Sequence, residues 1–255
     1  MLSPTAPTTN VRQEFDEGAP TYDLMVRLNP GYHRHLRSAA AALLERLPST
    51  GARTLRLADL GCGSGASTRA LVSSLQLRRQ PFEILGLDAS EQMLGQAADK
   101  SWPAGVRFVH GRAEELFSPR PHWGLDHPQH GILAAYLFRN VQDRDGVLAA
   151  VHDLLVPGGV LVAQEYSVAG SRHAPAVWNA VCWLVVIPLA WLTSRRTSLY
   201  RYLWRSVRTF DSVQTFVDRL YAAGFTSVEV SSVPGWQRGI LHTFRARKTG
   251  ASATR

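Results

Sequence analysis

Residues 59 to 65 read Asp59-Leu60-Gly61-Cys62-Gly63-Ser64-Gly65, an acid followed by glycines at alternate positions. A backbone without Cβ at those points can turn sharply and approach a ligand to contact distance. A helix that begins there adds free N–H groups aimed at the same ligand. Asp88 lies 29 residues after Asp59, and a carboxylate can accept both hydrogen bonds of a ribose diol. Together they suggest a nucleoside held between bare backbone and an acid. The dinucleotide fingerprint needs a third glycine at position 66, which is Ala66 here, and a phosphate loop needs a Gly-Lys pair that the segment lacks.

Such residues must be delivered by strand ends. LRLADL (55–60), FEILGLD (82–88), VRFVH (106–110), GILAAYLF (131–138) and VLVAQEYS (160–167) read as short apolar strands. Between them 66–77, 90–100 with Ser90 as N-cap, and 145–156 closed by Pro157-Gly158-Gly159 read as helices. Tyr22–Leu28 and His33–Leu47 predict two N-terminal helices split by Asn29-Pro30-Gly31, after a start rich in Pro and Thr. Toward the other end, 212–225 predicts a helix stopped by Gly224, and 226–233 with 240–248 two strands joined around Pro234-Gly235. The β-α-β-α succession predicts an α/β fold with a seven-stranded, mostly parallel sheet and helices on both faces.

With 255 residues, 45% apolar and 19% charged, the chain fits one domain with appendages and excludes the disordered, collagen-like and coiled-coil classes. Cys62 and Cys182, 120 positions apart, exclude a disulfide scaffold and a Cys-rich zinc site, and no histidines cluster with acids at metal-ligand spacing. The N-terminus shows neither a basic start nor an apolar run, so a reducing cytosol is the expected compartment. The net charge of +8 is local: residues 1–194 carry 17 basic and 17 acidic side chains, residues 195–255 carry 11 and 3. That basic quarter could face RNA, an acidic ligand, an anionic membrane or only water.

Residues 174–194 hold no charge, and as a helix they would reach about 30 Å, enough to cross a bilayer. Crossing would leave the last two strands on the far side of the membrane from their sheet. The stretch is therefore expected to fold over the sheet or lie in an interface, with Trp178, Val181, Cys182, Val185, Leu189 and Leu192 along one face and Val177, Leu184, Val186 and Ile187 filling the other.

The order acid, Gly-x-Gly-x-Gly, then acid at the next strand end resembles the cofactor motif of class I S-adenosylmethionine-dependent methyltransferases. Over residues 15 to 248 the chain further resembles the C-methyltransferases of ubiquinone and menaquinone biosynthesis. Phe15-Asp16, Tyr22-Asp23, Asn29, Gly31 and His33-Arg34 match that family's N-terminal motif, and Phe138-Arg139-Asn140-Val141 its Arg-Asn-Val segment. Leu155-Val156-Pro157-Gly158-Gly159, Tyr200-Arg201-Tyr202-Leu203 with Ser206-Val207-Arg208, Ala223-Gly224-Phe225 and Leu241-His242 follow in order.

The resemblance implies a Rossmann-like class I methyltransferase fold with an antiparallel last strand, and S-adenosylmethionine as cofactor. It implies cofactor contacts from Asp59, Gly61, Cys62, Gly63, Gly65, Thr68, Asp88, Ala89, Met93, Arg112, Ala113 and Ala135. Arg139, Asn140, Tyr22 and His33 would act on the acceptor, and Tyr136, Glu165, Trp178, Tyr202 and His242 would bind it; no metal is implied. By the same likeness residues 14–48 form a helical lid, 54–166 the cofactor-binding core, 168–210 an apolar helical cap and 211–248 the closing helix and strands, with tails at 1–13 and 249–255.

Methyl transfer requires an in-line nucleophile within about 3 to 3.5 Å and the exclusion of water. For attack from a ring carbon, the expected acceptor is a prenylated hydroquinone, whose hydroxyl, with a pKa near 10, must lose or share its proton. Arg139, always charged, is expected to stabilise the phenolate, Tyr22 to bond a ring oxygen from the lid, and His33 or His242 to relay a proton. The apolar cap would receive the prenyl tail, while the basic C-terminal region would rest on the inner face of an anionic membrane.

Two departures from the family pattern point to a diverged acceptor. Gly111-Arg112-Ala113 stands where an acid usually meets the adenine amine, which leaves Glu114, a carbonyl or water for that contact, and Gln129-His130 replaces a Phe-Asp pair. The alternatives are a methyltransferase of a polyketide or terpenoid, and a cofactor-binding scaffold without turnover in a quinone-synthesis assembly. A homodimer is compatible with each. RNA is disfavoured as a partner, because neither an appended RNA-binding module nor a stacking motif is visible.

Overall fold

The computed structural model describes residues 31–47, 54–117, 123, 125, 127–194 and 197–250. Seven strands, β1 (Leu55–Leu60), β2 (Phe82–Asp88), β3 (Val106–His110), β4 (Gln129–Ala135), β5 (Leu155–Tyr166), β6 (Phe225–Ser232) and β7 (Leu241–Lys248), form one sheet in the order β3-β2-β1-β4-β5-β7-β6. The first five run parallel, and β7 lies antiparallel to both β5 and β6. The strand order reverses between β1 and β4, and the carboxyl ends flanking such a reversal are where open α/β sheets leave a crevice.

Both faces of the sheet are covered, as parallel strands demand. Leu57, Val160 and Val162 point to one core, with α1 (Tyr32–Arg46) and α2 (Ala66–Leu77) packed on it through Leu36, Leu43, Leu71 and Leu75. Their neighbours Ala58, Leu161 and Ala163 point to the other, the period-two alternation of a strand. That second face carries α4 (Arg144–Leu154) and α8 (Val213–Ala222) through Val147, Leu148, Phe216 and Leu220. Between β2 and β3 lies α3 (Glu91–Ala98), capped by Ser90 as expected, its Oγ accepting from the Met93 N–H at 3.1 Å. Between β5 and α8 come α5 (Ala174–Val181), a π-helical turn (Cys182–Val186), α6 (Ile187–Ser194) and α7 (Ser198–Thr209).

Three expectations are corrected. The fourth strand is 129–135 rather than 131–138, because Tyr136 turns into a left-handed conformation at φ 60° and Phe138–Asn140 forms a short 3-10 turn. Pro157-Gly158-Gly159 does not separate a helix from a strand. It sits inside β5, whose pairing with β4 jumps from Gln129↔Leu155 to Gly131↔Val160, so the turn-forming residues are accommodated as a bulge. The apolar helix also changes face along its length. Its inner side is Ala174, Trp178, Cys182, then Ile187 and Ala190, so Val185 and Leu192 point outward. Pro188 lacks the N–H that would bond Leu184 four residues back, and the wider turn that precedes it, with the Ile187 N–H donating to the Cys182 carbonyl, adds one residue to the repeat. The helix expected at 22–28 lies outside the described residues.

Candidate active site

The loop after β1 is tied to the end of β2, where the Gly61 and Cys62 N–H groups both donate to the Leu87 carbonyl, at 2.7 and 3.1 Å. Gly61, Gly63 and Gly65 all have positive φ, a path that side chains resist. At Gly65 a Cβ would lie 2.8 Å from Trp102, whereas at Gly63 it would meet nothing within 4 Å. Gly65 is thus a glycine of packing, and Gly63 bares its backbone to open space.

Two acids flank this turn in different ways. Asp88, at the end of β2, accepts from the Gly63 N–H at 2.7 Å through one oxygen and from the Ser90 N–H at 2.9 Å through the other, which holds its carboxylate at a cavity wall. Asp59 is fully buried behind the turn, where its Oδ2 accepts from the Ser67 and Thr68 hydroxyls at 2.7 and 2.6 Å. Burial raises its pKa to about 6, with the two hydroxyl bonds opposing the rise and the nearby Asp88 adding to it. Its Oδ1 has no partner among the described residues.

The cavity that opens here measures about 350 Å³, within the range of small-molecule sites. Gly61, Cys62, Gly63, Asp88, Ala89 and Met93 form one part of its wall. Burial and the two acids push the Cys62 thiol well up, which keeps it neutral. Arg112, Ala113 and Glu114 follow, with the Arg112 guanidinium 3.4 Å from Glu114, whose Oε1 also accepts from the Gln142 N–H at 3.3 Å.

Tyr32, Ala135, Tyr136, Arg139 and Asn140 form another part of the wall. Tyr136 is held in its left-handed conformation, which costs on the order of 1 kcal/mol for a residue with a side chain. Its N–H donates to the Gln164 carbonyl at 2.7 Å, and its own carbonyl accepts from Arg139 Nη1 at 2.7 Å and Asn140 Nδ2 at 3.2 Å. Arg139 Nη1 also lies 3.1 Å from Glu165 Oε2, an ion pair whose side chains are 8% and 0% exposed. Burial raises the Glu165 pKa, and Arg139 opposes that rise. Asn140 Oδ1 accepts from the Tyr202 hydroxyl of α7 at 2.9 Å. Tyr32 stacks on Tyr136 with ring centres 5.6 Å apart, and Tyr136 on Tyr166 at 5.1 Å.

Several expected residues sit elsewhere. Asp59, Gly65 and Thr68 support the turn from behind rather than lining the cavity, and Glu165 stands behind Arg139. His33 is exposed and does not line the cavity, its ring standing edge-on to Tyr32 with ring centres 5.5 Å apart. Trp178 is buried in the core against Tyr166, and His242 is buried in β7 with its pKa lowered by burial. Tyr22 lies outside the described residues. Tyr32, which sequence reasoning passed over for its neighbour His33, supplies the flat wall; its one signal was its place at the first turn of α1.

Over residues 5–248 the sequence matches the model of the ubiE/COQ5 methyltransferase family. The chain belongs to that family. It is 30% identical over 214 residues to the demethylmenaquinone methyltransferase of Thermus thermophilus, spanning 83% of this chain and 91% of that one. It is 27% identical over 232 residues to the ubiquinone/menaquinone biosynthesis C-methyltransferase UbiE of a Caulobacter species, spanning 88% and 87%. The plantazolicin methyltransferase BamL, solved with a triazolic desmethylPZN analog and SAH, shares the fold at a TM-score of 0.66 and 14% identity, over 94% of this chain and 96% of that one. This ubiE/COQ5 member is an S-adenosylmethionine-dependent methyltransferase. The residues present fit that cofactor: a turn whose bare backbone a Cβ at Gly63 would fill, a carboxylate beside it, and a buried acceptor without a partner behind it.

Proposed function

We propose that this protein transfers the methyl group of S-adenosylmethionine to a ring carbon of a prenylated hydroquinone of the demethylmenaquinol type. The observation that carries this reading is the part of the cavity wall where stacked Tyr32 and Tyr136 rings adjoin a guanidinium held by a buried carboxylate. A flat ring bearing a phenolate oxygen is what such a wall accommodates. The activities that the relatives' names state support the same acceptor class.

Gly61, Gly63 and Asp88 would hold the cofactor, which when bound supplies a sulfonium methyl already activated for transfer. The chain's own task is then alignment and charge. Arg139 stabilises the ring oxygen as a phenolate, since a guanidinium stays protonated at any working pH. Glu165 fixes the direction of that guanidinium from behind. Asn140, held by the Tyr136 carbonyl and the Tyr202 hydroxyl, sets the edge of the ring. No proton relay is assigned to His33, whose side chain is exposed and does not line the cavity. A second reading, a different lipophilic phenol such as a polyketide, draws on Arg112, a cation in the wall where the family carries an acid.

Labelled S-adenosylmethionine, incubated with a short-tailed demethylnaphthoquinone in reduced and in oxidised form, tests the proposal. Label is expected in a C-methylated product from the reduced ring alone. Label passed to a phenolic polyketide but to no hydroquinone would replace the first reading by the second.

A further inference from the structure

The insertion between β5 and α8 exposes a face that the cavity does not use. On α5, the π turn and α6, the inner side chains Trp178 and Cys182 belong to the main core, and Ile187 and Ala190 pack against Leu199 and Tyr200. The outer side leaves Trp183, Leu184, Val185, Trp191 and Leu192 between 46% and 75% exposed. Beside it α7 carries Arg201, Arg205 and Arg208, all exposed and spaced four and three residues apart, hence on one face. The Arg201 guanidinium lies 5.9 Å over the Trp183 ring, which joins the arginine row to the apolar patch. Among the described residues none of these three arginines pairs with a carboxylate.

We propose that this face docks on the surface of an anionic lipid bilayer, with the Trp and Leu side chains in the headgroup boundary and the arginine row on the lipid phosphates. Charge complementarity selects this occupant. A second copy meeting the same face would set arginine rows against each other, and residues 195–255 hold three acids against 11 bases. Residues Ala174–Thr193 are long and apolar enough to cross a bilayer. Crossing is incompatible with the fold, because Trp178 and Cys182 are locked in the core and β6 and β7 return to the same sheet. The helix therefore lies in the plane of the interface, as a surface-bound amphipathic helix does. The π turn before Pro188 makes this possible by rotating Val185 and Leu192 away from the core.

Vesicle flotation of the full chain, without cofactor or acceptor, tests the proposal separately from the methyl-transfer reading. The protein is expected to float with phosphatidylglycerol vesicles and more weakly with pure phosphatidylcholine, and to be released by high salt. Joint Leu184→Ser and Leu192→Ser substitution is expected to lower partitioning about tenfold or more. Joint Arg201→Gln, Arg205→Gln and Arg208→Gln substitution is expected to lower it roughly a hundredfold, on anionic vesicles only. Circular dichroism and melting verify that each variant is folded. Three results would overturn the proposal: no flotation of the folded wild type, flotation unaffected by both sets of changes, or a dimer in light scattering that the leucine changes dissolve.

Discussion

The two walls of the cavity are built differently. Gly61, Gly63, Asp88 and Ser90 are joined by backbone N–H bonds within a stretch of 30 residues. The other wall is assembled from side chains: Arg139 with Glu165, separated by 26 positions much as Gly63 is from Asp88, and Asn140 with Tyr202, separated by 62. A ligand portion shared by many enzymes can be held by backbone, which any sequence with the right glycines provides. The part that distinguishes one acceptor from another needs side chains, and those depend on how the helices after β5 return to the site.

The sharpest way to break this contrast is Arg139→Ala. It would leave the fully buried Glu165 carboxyl with no cation, which costs about 3–5 kcal/mol for a pair of this kind. Chemical denaturation is expected to show that loss while SAH affinity in the surviving fold is little changed. A large loss of SAH affinity would merge the two walls into one.

Next in size is a pH effect confined to the cofactor wall. The Asp59 pKa is raised from 3.8 to about 6 by burial, so this group stabilises the free fold most at low pH, and that contribution is lost as pH rises through 6. Binding of a cationic cofactor runs the other way, because it favours the ionised acid. Calorimetric affinity for S-adenosylmethionine is expected to fall about tenfold per pH unit below 6 and to level off above it. Asp59→Asn should flatten that profile; an unchanged slope in the variant would assign it to another group.

Tyr202→Phe sharpens the comparison with the smallest effect. Removing one hydroxyl bond to Asn140 is worth about 1 kcal/mol. Acceptor kcat/KM is expected to drop roughly fivefold, with SAH affinity constant. No change in kcat/KM would leave Asn140 positioned by Tyr136 alone.

The same division decided what could be read before folding. The acid-glycine-acid spacing and the strands at 55–60, 82–88 and 106–110 were legible because each is a local pattern of apolar runs and breakers. The end of β4 was not, because Tyr136 continues an apolar run yet leaves the strand through a conformation set by Arg139, Asn140 and Gln164. Pro157-Gly158-Gly159 reads as a helix stop, but pairing along β4 absorbs it as a bulge. Residue type and likeness point to His33 and Trp178, while their exposure and burial depend on neighbours from other elements. The face of the 174–194 helix was legible only as far as Cys182, since a regular 3.6-residue period cannot anticipate a π turn.

The central claim, a cavity with one wall for the cofactor and one for the acceptor, is tested most directly by titrating SAH into the wild type, Asp88→Ala and Asn140→Ala proteins. Loss of a carboxylate that would accept charge-assisted or paired hydrogen bonds is expected to weaken binding on the order of 30- to 100-fold in Asp88→Ala. Asn140→Ala is expected to bind within about twofold of the wild type, since its side chain touches only the far wall. Equal weakening in both variants, or unchanged binding in Asp88→Ala, would contradict the account.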